Sequence, residues 1–377
     1  MIGRIEAIGK SGRGIVFYEG KPVFLPGVLR GESVEFTISG KKHSILSGAV
    51  IRIIEAAKER VIPPCPYYEE CGGCNFQHIA YHEQIAVKQD ILKNNLKRIA
   101  KIDYAQPVEV ITSPPSRYRT RIILKVRDGK AGFYKKGSHE IVEIETCLVA
   151  PQPVENFLRG LRAHNPGKGE IYIISSGKEL SAVLKTGDAE KYLSDKKEIS
   201  FEIGEFTYDF SPGSFIQANL FTLEIMLGLV QHNLESDYFE KAADLFCGAG
   251  FFTLALARRV RRVAAVEAHE ENIRLLKANL AGNKIDNVEI IQADILKSAV
   301  GAADLFVIDP PRSGLNRRLV KEITGHLPKK ILYFSCDSAT FSRDIFYFRE
   351  AGFILQELKI IDNFPQTDHF EIYSCLV

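Results

Sequence analysis

The amino-acid sequence predicts an α/β protein, with a doubly wound parallel sheet in its C-terminal part and two smaller β-rich units before it. Three observations lead to this fold class. From residue 242 onward, short apolar strands alternate with helical segments. Residues 108–203 are mostly β-patterned, and residues 1–60 hold short β-rich runs between glycine turns. The length of 377 residues fits two or three domains.

Residues 1–60 indicate a five-stranded β-barrel of the oligonucleotide-binding type. Glycines recur at the spacing of barrel turns, and residues 34–38 alternate apolar and polar side chains. We expect a central β-rich unit with a cysteine cluster over residues 61–205, which includes a helix at 81–100. The C-terminal α/β unit then takes residues 206–377.

The composition is that of an ordinary globular chain, with 45% hydrophobic and 25% charged residues. No apolar run is long enough to cross a membrane, and residues 1–10 lack the apolar core of a signal peptide, so we expect a cytoplasmic protein. No protein partner is evident, and we expect a monomer. The net charge is only +2, yet residues 88–136 hold 13 Lys and Arg against 4 Asp and Glu. That stretch is either an anion-attracting surface or a solvated charged face.

The turn after the first strand of the C-terminal unit reads DLFCGAGFFT over residues 244–253. Gly248 and Gly250 allow the backbone to pass close to a ligand. A dinucleotide-binding turn would have a third glycine near Thr253, so the pattern argues mildly against a pyrophosphate ligand. S-adenosylmethionine has no phosphate and needs only the tight turn.

Acidic residues mark four successive strands at one edge of the predicted sheet, beginning with Asp244. Glu267 ends the second strand, where a carboxylate suits the hydroxyls of a ribose. Asp294 follows the third strand within reach of an adenine edge, and Asp309 with two prolines makes a stiff rim after the fourth. Each acid alone is explained by a cap, a strand end or a turn. Their collection at one edge indicates an S-adenosylmethionine site.

A cysteine follows the fifth strand at the same edge. Cys336 stands at the start of a helix that Ser338 or Thr340 would cap, and the positive end of a helix lowers a thiol pKa. A lone buried cysteine is usually structural, but this position favours a nucleophile next to a methyl donor. A thiolate that adds to carbon 6 of uracil makes carbon 5 nucleophilic, and a base must then remove the carbon-5 proton.

The segment 363–373 supplies candidates for that base. Glu371 lies in the last strand, where an unpaired carboxylate has little structural purpose, and Asp368 and His369 are the runners-up. DNA cytosine methyltransferases also add a cysteine to carbon 6, but their nucleophile follows a proline in the loop after the fourth strand. Here that loop, which begins at Asp309, contains no cysteine.

Three cysteines, Cys65, Cys71 and Cys74, have the spacing of metal ligands. A closed site needs a fourth ligand, and Cys147 is the remaining cysteine before the C-terminal unit. Four thiolates suit either zinc or an iron–sulfur cluster, and the spacing alone does not choose between them. The expected role of the site is to hold the central unit in shape.

Together these motifs resemble the RNA uracil-C5-methyltransferase family, whose members make 5-methyluridine in 23S ribosomal RNA and in transfer RNA. The resemblance covers nearly the whole chain. Residues 1–57 resemble a TRAM domain, an RNA-binding barrel, and the four cysteines match the family's 4Fe–4S ligands, which favours iron–sulfur over zinc. The segment SFIQAN, at 214–219, resembles the motif before the methyltransferase core and implies that Gln217 contacts the methyl donor or the uracil.

The resemblance further implies a Rossmann-like class I methyltransferase fold for the C-terminal unit. It places Cys336 as the nucleophile and Glu371 as the base. The residues it implies at donor or substrate positions are Phe246, Glu267, Asp294 and Asp309. This chain departs from the pattern at residue 251, which is Phe where some ribosomal members carry Asn, and in its short central unit.

The preferred substrate is a uridine of 23S ribosomal RNA. The T-loop uridine of transfer RNA, or dual specificity, is the alternative within the family, and a non-catalytic RNA-binding iron–sulfur protein is the alternative outside it. A nucleophile buried at a sheet edge cannot reach a base inside a structured RNA, so the target must lie in a loop or be flipped out. We expect the barrel, the basic stretch and the aromatic residues Tyr118, Phe133 and Tyr134 to hold the flanking strand.

Overall fold

A computed structural model gives the fold of residues 1–42, 45–161 and 167–377. Across these ranges every helix is too short or too polar to span a lipid bilayer. The described residues form four β-sheets, two of six strands, one of two strands and one of eight.

The first six-stranded sheet is a barrel, as the sequence predicts. Its strands are β1 (Ile2–Arg4), β2 (Ala7–Ile8), β3 (Gly14–Tyr18), β4 (Lys21–Leu25), β5 (Ser33–Lys42) and β6 (Ile45–Glu55). They pair in the order β1-β5-β6-β4-β3-β2. Because β1 and β2 are consecutive in the chain and lie at the two ends of that order, they act as one strand bent at the buried Ile5, and the bend closes the sheet. Counting the bent strand once gives the five strands expected.

Residues 56–80 carry the first three cysteines in a series of turns without a regular helix or strand. Helix α1 (Tyr81–Asn95) follows and continues as a π-helical turn through Leu96–Ala100. Its apolar side chains, among them Val87, Ile91 and Leu92, are buried in the core beneath the C-terminal sheet. A short strand, β7 (Glu109–Ile111), comes next.

The central sheet is antiparallel throughout. Its strands are β8 (Arg121–Arg127), β9 (Lys130–Tyr134), β10 (Ile141–Glu143), β11 (Gly169–Ser175), β12 (Leu180–Thr186) and β13 (Ala189–Tyr192), paired in the order β10-β9-β8-β11-β12-β13. Helix α2 (Gln152–Leu161) covers one face, where Leu124, Ile171 and Leu158 form a core. The opposite face carries polar and aromatic side chains, since side chains alternate along each strand.

A hairpin of β14 (Ile199–Ile203) and β15 (Phe206–Phe210) leads into the C-terminal unit. The elements that follow are α3 (Leu223–Ser236), β16 (Lys241–Leu245), α4 (Thr253–Arg259), β17 (Arg262–Glu267), α5 (Glu270–Gly282), β18 (Val288–Gln292), β19 (Leu305–Ile308), α6 (Arg317–Gly325), β20 (Lys330–Ser335), α7 (Ser338–Glu350), β21 (Leu355–Ile361) and β22 (Glu371–Leu376). The sheet order is β18-β17-β16-β19-β20-β22-β21-β7.

This eight-stranded sheet is doubly wound, which confirms the predicted fold class. Strands β16 to β20 are parallel, and β22 runs antiparallel between β20 and β21. Side chains of α1, α6 and α7 fill the core on one face, and those of α3, α4 and α5 fill the core on the other. The strand order reverses between β16 and β19, so a ligand crevice is expected at their carboxyl ends.

Two segments assigned from sequence to the central unit pack with the C-terminal sheet. Strand β7 pairs with β21 at the sheet edge, and α1 lies against α7. The β14–β15 hairpin contributes Phe201, Tyr208 and Phe210 to the core that holds α3 and α4. The division of the chain at residues 60 and 205 stays a prediction.

Candidate active site

A cavity of about 990 Å³ opens at the carboxyl ends of the parallel strands. All but one of the site residues expected from the sequence line it, although they are spread over more than 300 positions of the chain. From the C-terminal unit these are Gln217, Phe246, Gly248, Glu267, Asp294, Asp309, Cys336 and Glu371, and from the cysteine cluster Cys65, Cys71, Cys74 and Cys147. The cavity therefore joins the expected methyl-donor crevice to the expected metal site.

Gly250 is the expected residue that does not line the cavity. Its φ is +94°, and a Cβ placed there would lie 2.6 Å from a side-chain carbon of Leu276 on α5. The glycine is therefore required for packing between the turn and the helix. Gly248 has a φ of +56° and lines the cavity. A Cβ placed there would have the Phe215 ring at 4.0 Å as its nearest neighbour, so this side of the turn leaves room for a ligand.

The Glu267 carboxylate closes the turn after β16. One of its oxygens accepts a hydrogen bond from the Gly248 backbone N–H at 2.9 Å, and the other accepts from those of Ala268 and His269 at 2.8 Å each. These bonds fix the carboxylate at the cavity wall, and the oxygen that accepts only from Gly248 has a second lone pair available for a ligand hydroxyl.

Asp294, unlike Glu267, has an exposed side chain. Its carboxylate forms an ion pair with Lys297 at 2.9 Å, its side chain is 45% exposed, and one oxygen accepts from the Leu296 N–H. The Lys297 ammonium lowers the pKa of Asp294, so this carboxylate is charged near neutral pH.

Asp309 is half-buried and is held by Gln217, whose amide N–H donates to the carboxylate at 2.6 Å. Burial raises the pKa of Asp309 to about 7, against the opposing effect of the Gln217 hydrogen bond. The two residues belong to segments 92 positions apart, so their contact is a product of the tertiary fold.

The environment of Cys336 reverses the expected effect on its thiol. Burial, together with the neighbouring carboxyls of Glu371 and Asp309, raises the pKa of Cys336 to about 12. Asp337 caps α7 by accepting from the N–H groups of Ala339 and Thr340 at 3.0 Å, where Ser338 or Thr340 was expected. The expected lowering of the thiol pKa is therefore wrong, because burial and the two neighbouring carboxyls outweigh the position of Cys336 at a helix start.

Glu371 is the first residue of β22 and is 3% exposed. Its Oε1 atom is buried without a hydrogen-bond partner among the described residues. Burial and the nearby Asp309 raise the pKa of Glu371 well above its ordinary value. A buried carboxyl oxygen without a hydrogen-bond partner destabilises the folded protein. Such groups are typical of functional sites, which makes Glu371 a candidate for a chemical role.

The runners-up for the base do not line the cavity. Asp368 forms two hydrogen bonds with Asn75. The Asn75 side-chain amide donates to the Asp368 carboxylate at 2.8 Å, and the Asp368 backbone N–H donates to the Asn75 side-chain oxygen at 3.0 Å. The His369 ring contacts Arg312 at 3.4 Å. Asp368 therefore ties the loop before Glu371 to the cysteine-bearing segment.

Arg312 is a cavity residue that the sequence analysis did not single out. Its guanidinium lowers the pKa of both Cys336 and Glu371, against the larger effect of burial. The signal was available, since Arg312 ends the same Asp-Pro-Pro-Arg loop that begins at Asp309. Only the fold shows that its charge acts on residues of β22 and of the β20–α7 junction.

The four cysteines of the cluster share the cavity wall. Burial raises the pKa of Cys71, raises that of Cys74 to about 11 and raises that of Cys147 to about 12, and the thiols act on one another electrostatically. No three His, Cys, Asp or Glu side chains in the described ranges converge closely enough to hold a single metal ion. The thiols are thus neighbours that do not meet at one point.

The basic stretch differs in part from the expectation. Lys88 is fully buried and pairs with Asp362 at 2.6 Å, so it offers no charge to a ligand. Tyr118, expected to stack on RNA, is 1% exposed and donates to the Pro365 carbonyl at 2.8 Å. Both residues instead fix the loop that leads to Glu371.

Comparison with known proteins agrees with this geometry. The family model described as tRNA (uracil-5-)-methyltransferase matches residues 168–376. An uncharacterized RNA methyltransferase of Aquifex aeolicus is 31% identical over 99% of this chain and 97% of its own length. A 23S rRNA (uracil(1939)-C(5))-methyltransferase of Pseudomonas putida is also 31% identical, over 97% of this chain and 91% of its own length.

A solved structure resembles the whole chain in fold. It is a tRNA (uracil-54, C5)-methyltransferase of Pyrococcus abyssi in complex with S-adenosyl-L-homocysteine, with a TM-score of 0.72. The match covers 100% of this chain and 99% of the other, at 23% identity.

Proposed function

This chain belongs to the RNA uracil-C5-methyltransferase family, and on that premise we propose that it methylates a uridine of 23S ribosomal RNA. It is an S-adenosylmethionine-dependent enzyme whose reaction is methylation of uracil carbon 5 in RNA. The choice of 23S ribosomal RNA is supported by the curated relatives described as 23S enzymes, which match nearly the full chain. The alternative substrate is the T-loop uridine of transfer RNA, and the fold neighbour is described as a tRNA (uracil-54, C5)-methyltransferase.

The observation that carries the mechanism is the convergence of Cys336, Glu371 and Asp309 on one cavity. In our proposal the Cys336 thiolate forms a bond to uracil carbon 6, and carbon 5 then takes the methyl group. Adenosylmethionine, when bound, supplies that methyl from its sulfonium centre. The Glu371 carboxylate accepts the carbon-5 proton, and the electrons of that bond expel the Cys336 thiolate.

Burial raises the pKa of both Cys336 and Glu371, so each side chain must release its proton to solvent before it acts in the reaction. Cys336 must therefore lose its proton as the uracil binds. Arg312 is the cation whose charge favours the thiolate, so we assign it the role of stabilising that charge. The same burial makes an ionised Glu371 a strong base for the carbon-5 proton.

For the methyl donor we propose the wall formed by Phe246, Gly248 and Glu267, with Asp294 at its exposed end. To Gln217 and Asp309, which are joined by a hydrogen bond and both line the cavity, we assign contacts with the uracil edge and the donor. A neutral Asp309 can donate a hydrogen bond as well as accept one. Gly250 takes a packing role in this proposal.

For Cys65, Cys71, Cys74 and Cys147 we propose a 4Fe–4S cluster. These four thiolates would hold the cluster, and four thiolates are its usual ligand set. The proposal is supported by the four cysteines lining one cavity wall. A single zinc ion, the runner-up, requires four sulfurs at about 2.3 Å from one point. The N-terminal barrel is proposed as a TRAM-like RNA-binding module, and a cytoplasmic monomer stays a prediction.

The covalent step is tested with RNA that carries 5-fluorouridine at the target position. Fluorine cannot leave carbon 5 as a proton does, so the Cys336 adduct should persist on a denaturing gel. Cys336→Ala should abolish the adduct and methylation, while Cys375→Ala, a buried cysteine of β22 away from the cavity, should retain both. Methylation by Cys336→Ala would refute the covalent route.

The base is tested with Glu371→Gln, which should trap an adduct with unmodified RNA because the carbon-5 proton stays in place. Glu357→Gln on the neighbouring β21 is the matched control, and it should turn over without an adduct. Absence of the adduct in Glu371→Gln would move the base role to another residue.

The substrate is tested by mapping 5-methyluridine in ribosomal and transfer RNA from cells with and without the gene. Loss of a methyl group from 23S ribosomal RNA alone is the expected result, and loss from the T-loop of transfer RNA would establish the alternative. For the cluster, anaerobic purification should give a brown protein with broad absorbance at roughly 400 nm. A colourless protein that contains zinc would refute the iron–sulfur assignment.

A further inference from the structure

The central sheet has a second face opposite the face that packs on α2. Ile174 and Val183 on this face are buried, and the part of it that stays accessible to solvent, here called the open face, carries half-buried polar and aromatic side chains. Residues paired across strands point to the same side, and the register pairs Arg121 with Ile174, Ile123 with Tyr172 and Lys125 with Glu170. It also pairs Tyr172 with Val183 and Glu170 with Lys185 on β12. We define the open face by Arg121, Lys125, Glu170, Tyr172 and Lys185.

The centre of the open face is a tyrosine flanked by two cations. The Arg121 guanidinium lies 5.8 Å from the centroid of the Tyr172 ring, and the Lys185 ammonium lies 5.3 Å from it. The Tyr172 hydroxyl donates to Glu170 at 2.7 Å, which fixes the orientation of the ring. A partly exposed, oriented ring between cations is a surface on which a nucleic acid base can stack.

Arg121 differs from the other two cations of the open face. Lys125 pairs with Glu170, and Lys185 pairs with Glu190. Within the described residues, no carboxylate forms an ion pair with Arg121, and its Nε atom is buried without a hydrogen-bond partner. A buried donor without an acceptor destabilises the fold, so its retention at this point calls for an explanation.

Arg121 is the first residue of β8 and lies between the open face and the active-site cavity. Arg121 and Arg119 both line the cavity that contains Cys336. Arg119 donates through Nε to the Arg121 carbonyl at 3.1 Å, and its guanidinium lies 5.6 Å from the centroid of the Phe364 ring, in the loop before Glu371. A strand that crosses the open face would therefore enter the cavity past Arg121.

We propose that Arg121 binds a phosphodiester oxygen of the RNA strand next to the target uridine, and that Tyr172 stacks on a base of that strand. The inference rests on the proposed function, since it takes the substrate to be RNA. A uridine in a chain carries phosphates on both sides, and a guanidinium fork matches two phosphate oxygens. The phosphate supplies the counter-charge that Arg121 lacks among the described residues.

The test is the affinity for RNA, measured by filter binding at several salt concentrations. The probes are a transcript of 23S ribosomal RNA and a transfer RNA transcript, each free of modification. Arg121→Gln should weaken binding about 10-fold and reduce the slope of log affinity against log salt by about 0.7, because one phosphate contact in a single strand is lost. Arg121→Lys keeps the charge but not the planar fork of the guanidinium. Its affinity and its salt slope should lie between those of the parent protein and those of Arg121→Gln.

The stacking contact has its own pair of variants. Tyr172→Ala should weaken binding about 10-fold without changing the salt slope, since stacking releases no counterions. Tyr172→Phe keeps the ring and should bind within about 2-fold of the parent, which bounds the effect of the lost hydroxyl. Lys191→Ala, an exposed lysine paired with Leu184 on the opposite face, is the matched control and should bind as the parent does.

Affinity for adenosylmethionine and the thermal midpoint are measured in parallel to show that each variant is folded. Unchanged RNA affinity and salt slope in both Arg121→Gln and Arg121→Lys would overturn the inference. If the parent protein methylates neither RNA yet these variants lose affinity, the proposed function fails and the RNA site stands. If the parent methylates RNA and Arg121→Gln binds normally, the RNA site fails and the proposed function stands.

Discussion

Lys88 offers a quantitative test of how the active-site loop is held. Its ammonium lies 2.6 Å from the Asp362 carboxylate and donates to the Phe364 carbonyl at 3.1 Å, and both charged side chains are fully buried. Asp362 also accepts from the Tyr81 hydroxyl at 2.7 Å. Replacement by an uncharged side chain of similar length, Lys88→Met, leaves the Asp362 charge buried without its cation.

The removal of one partner of a buried ion pair costs about 3–5 kcal/mol, mostly through the charge left behind. For a cooperative unit of the size of the C-terminal domain, each kcal/mol lowers the thermal midpoint by about 2–4 °C, so the expected decrease is roughly 6–20 °C. The control is Lys97→Met, because Lys97 and Asp103 form an exposed pair, with side chains 66% and 79% accessible. Exposed pairs contribute about 0–1 kcal/mol, so that variant should shift the midpoint by only a few degrees.

The assay is differential scanning calorimetry of the parent and the variants, with methylation of RNA as a second readout. The double variant Lys88→Met/Asp362→Asn should recover part of the loss, because it removes the stranded charge and keeps a hydrogen-bond acceptor for Tyr81. A midpoint for Lys88→Met within about 1 °C of the parent would refute the reasoning, since the buried pair would then contribute nothing to stability.

Three further predictions concern the cavity. Arg312→Ala should slow alkylation of Cys336 by iodoacetamide at pH 8 relative to Arg312→Lys, because the cation lowers the thiol pKa; equal rates would contradict this role. Burial raises the pKa of Asp309 in the folded protein to about 7, from an ordinary value of 3.8, so the folded protein binds this proton more tightly than the unfolded chain does. The stability that the bound proton contributes is fully present below about pH 4 and is lost as the pH rises through 7. Asp309→Asn should therefore gain thermal midpoint relative to the parent between pH 5 and 8, and a constant difference would count against the assigned pKa. Asn75→Ala and Asp368→Ala should each lower kcat to a similar extent, with the double variant no worse than either, whereas additive losses would mean that their hydrogen bonds do not act as a unit.

The positions of the cavity residues were predictable because strand–helix alternation constrains geometry. Once residues 241–335 are recognised as parallel strands with helical crossovers, residues that follow each strand must meet at one sheet edge. Glu267, Asp309 and Cys336 were placed in this way, and all three line the cavity. Glu371 was less constrained, because it begins an antiparallel strand inserted between β20 and β21.

The electrostatic state of those residues was not predictable. The local rule for a cysteine at a helix start gives a lowered thiol pKa, while burial and two carboxyls from distant segments raise the pKa of Cys336. The charge count over residues 88–136 likewise could not separate the buried Lys88 from the cavity-lining Arg121. The sequence specifies the charge and the type of each residue. It does not specify how deeply a side chain is buried or which groups surround it.

By itself the sequence determined the fold class, the edge of the sheet at which chemistry occurs, and the residue types available there, because each follows from periodicity along neighbouring positions. Only the tertiary structure decided that Gly250 serves packing, that Tyr118 is buried and that the Arg121 Nε atom has no hydrogen-bond acceptor among the described residues. Those properties depend on segments far apart in the chain. The free energy of a buried charge or donor is set by the groups that the fold brings around it, and no local pattern specifies them.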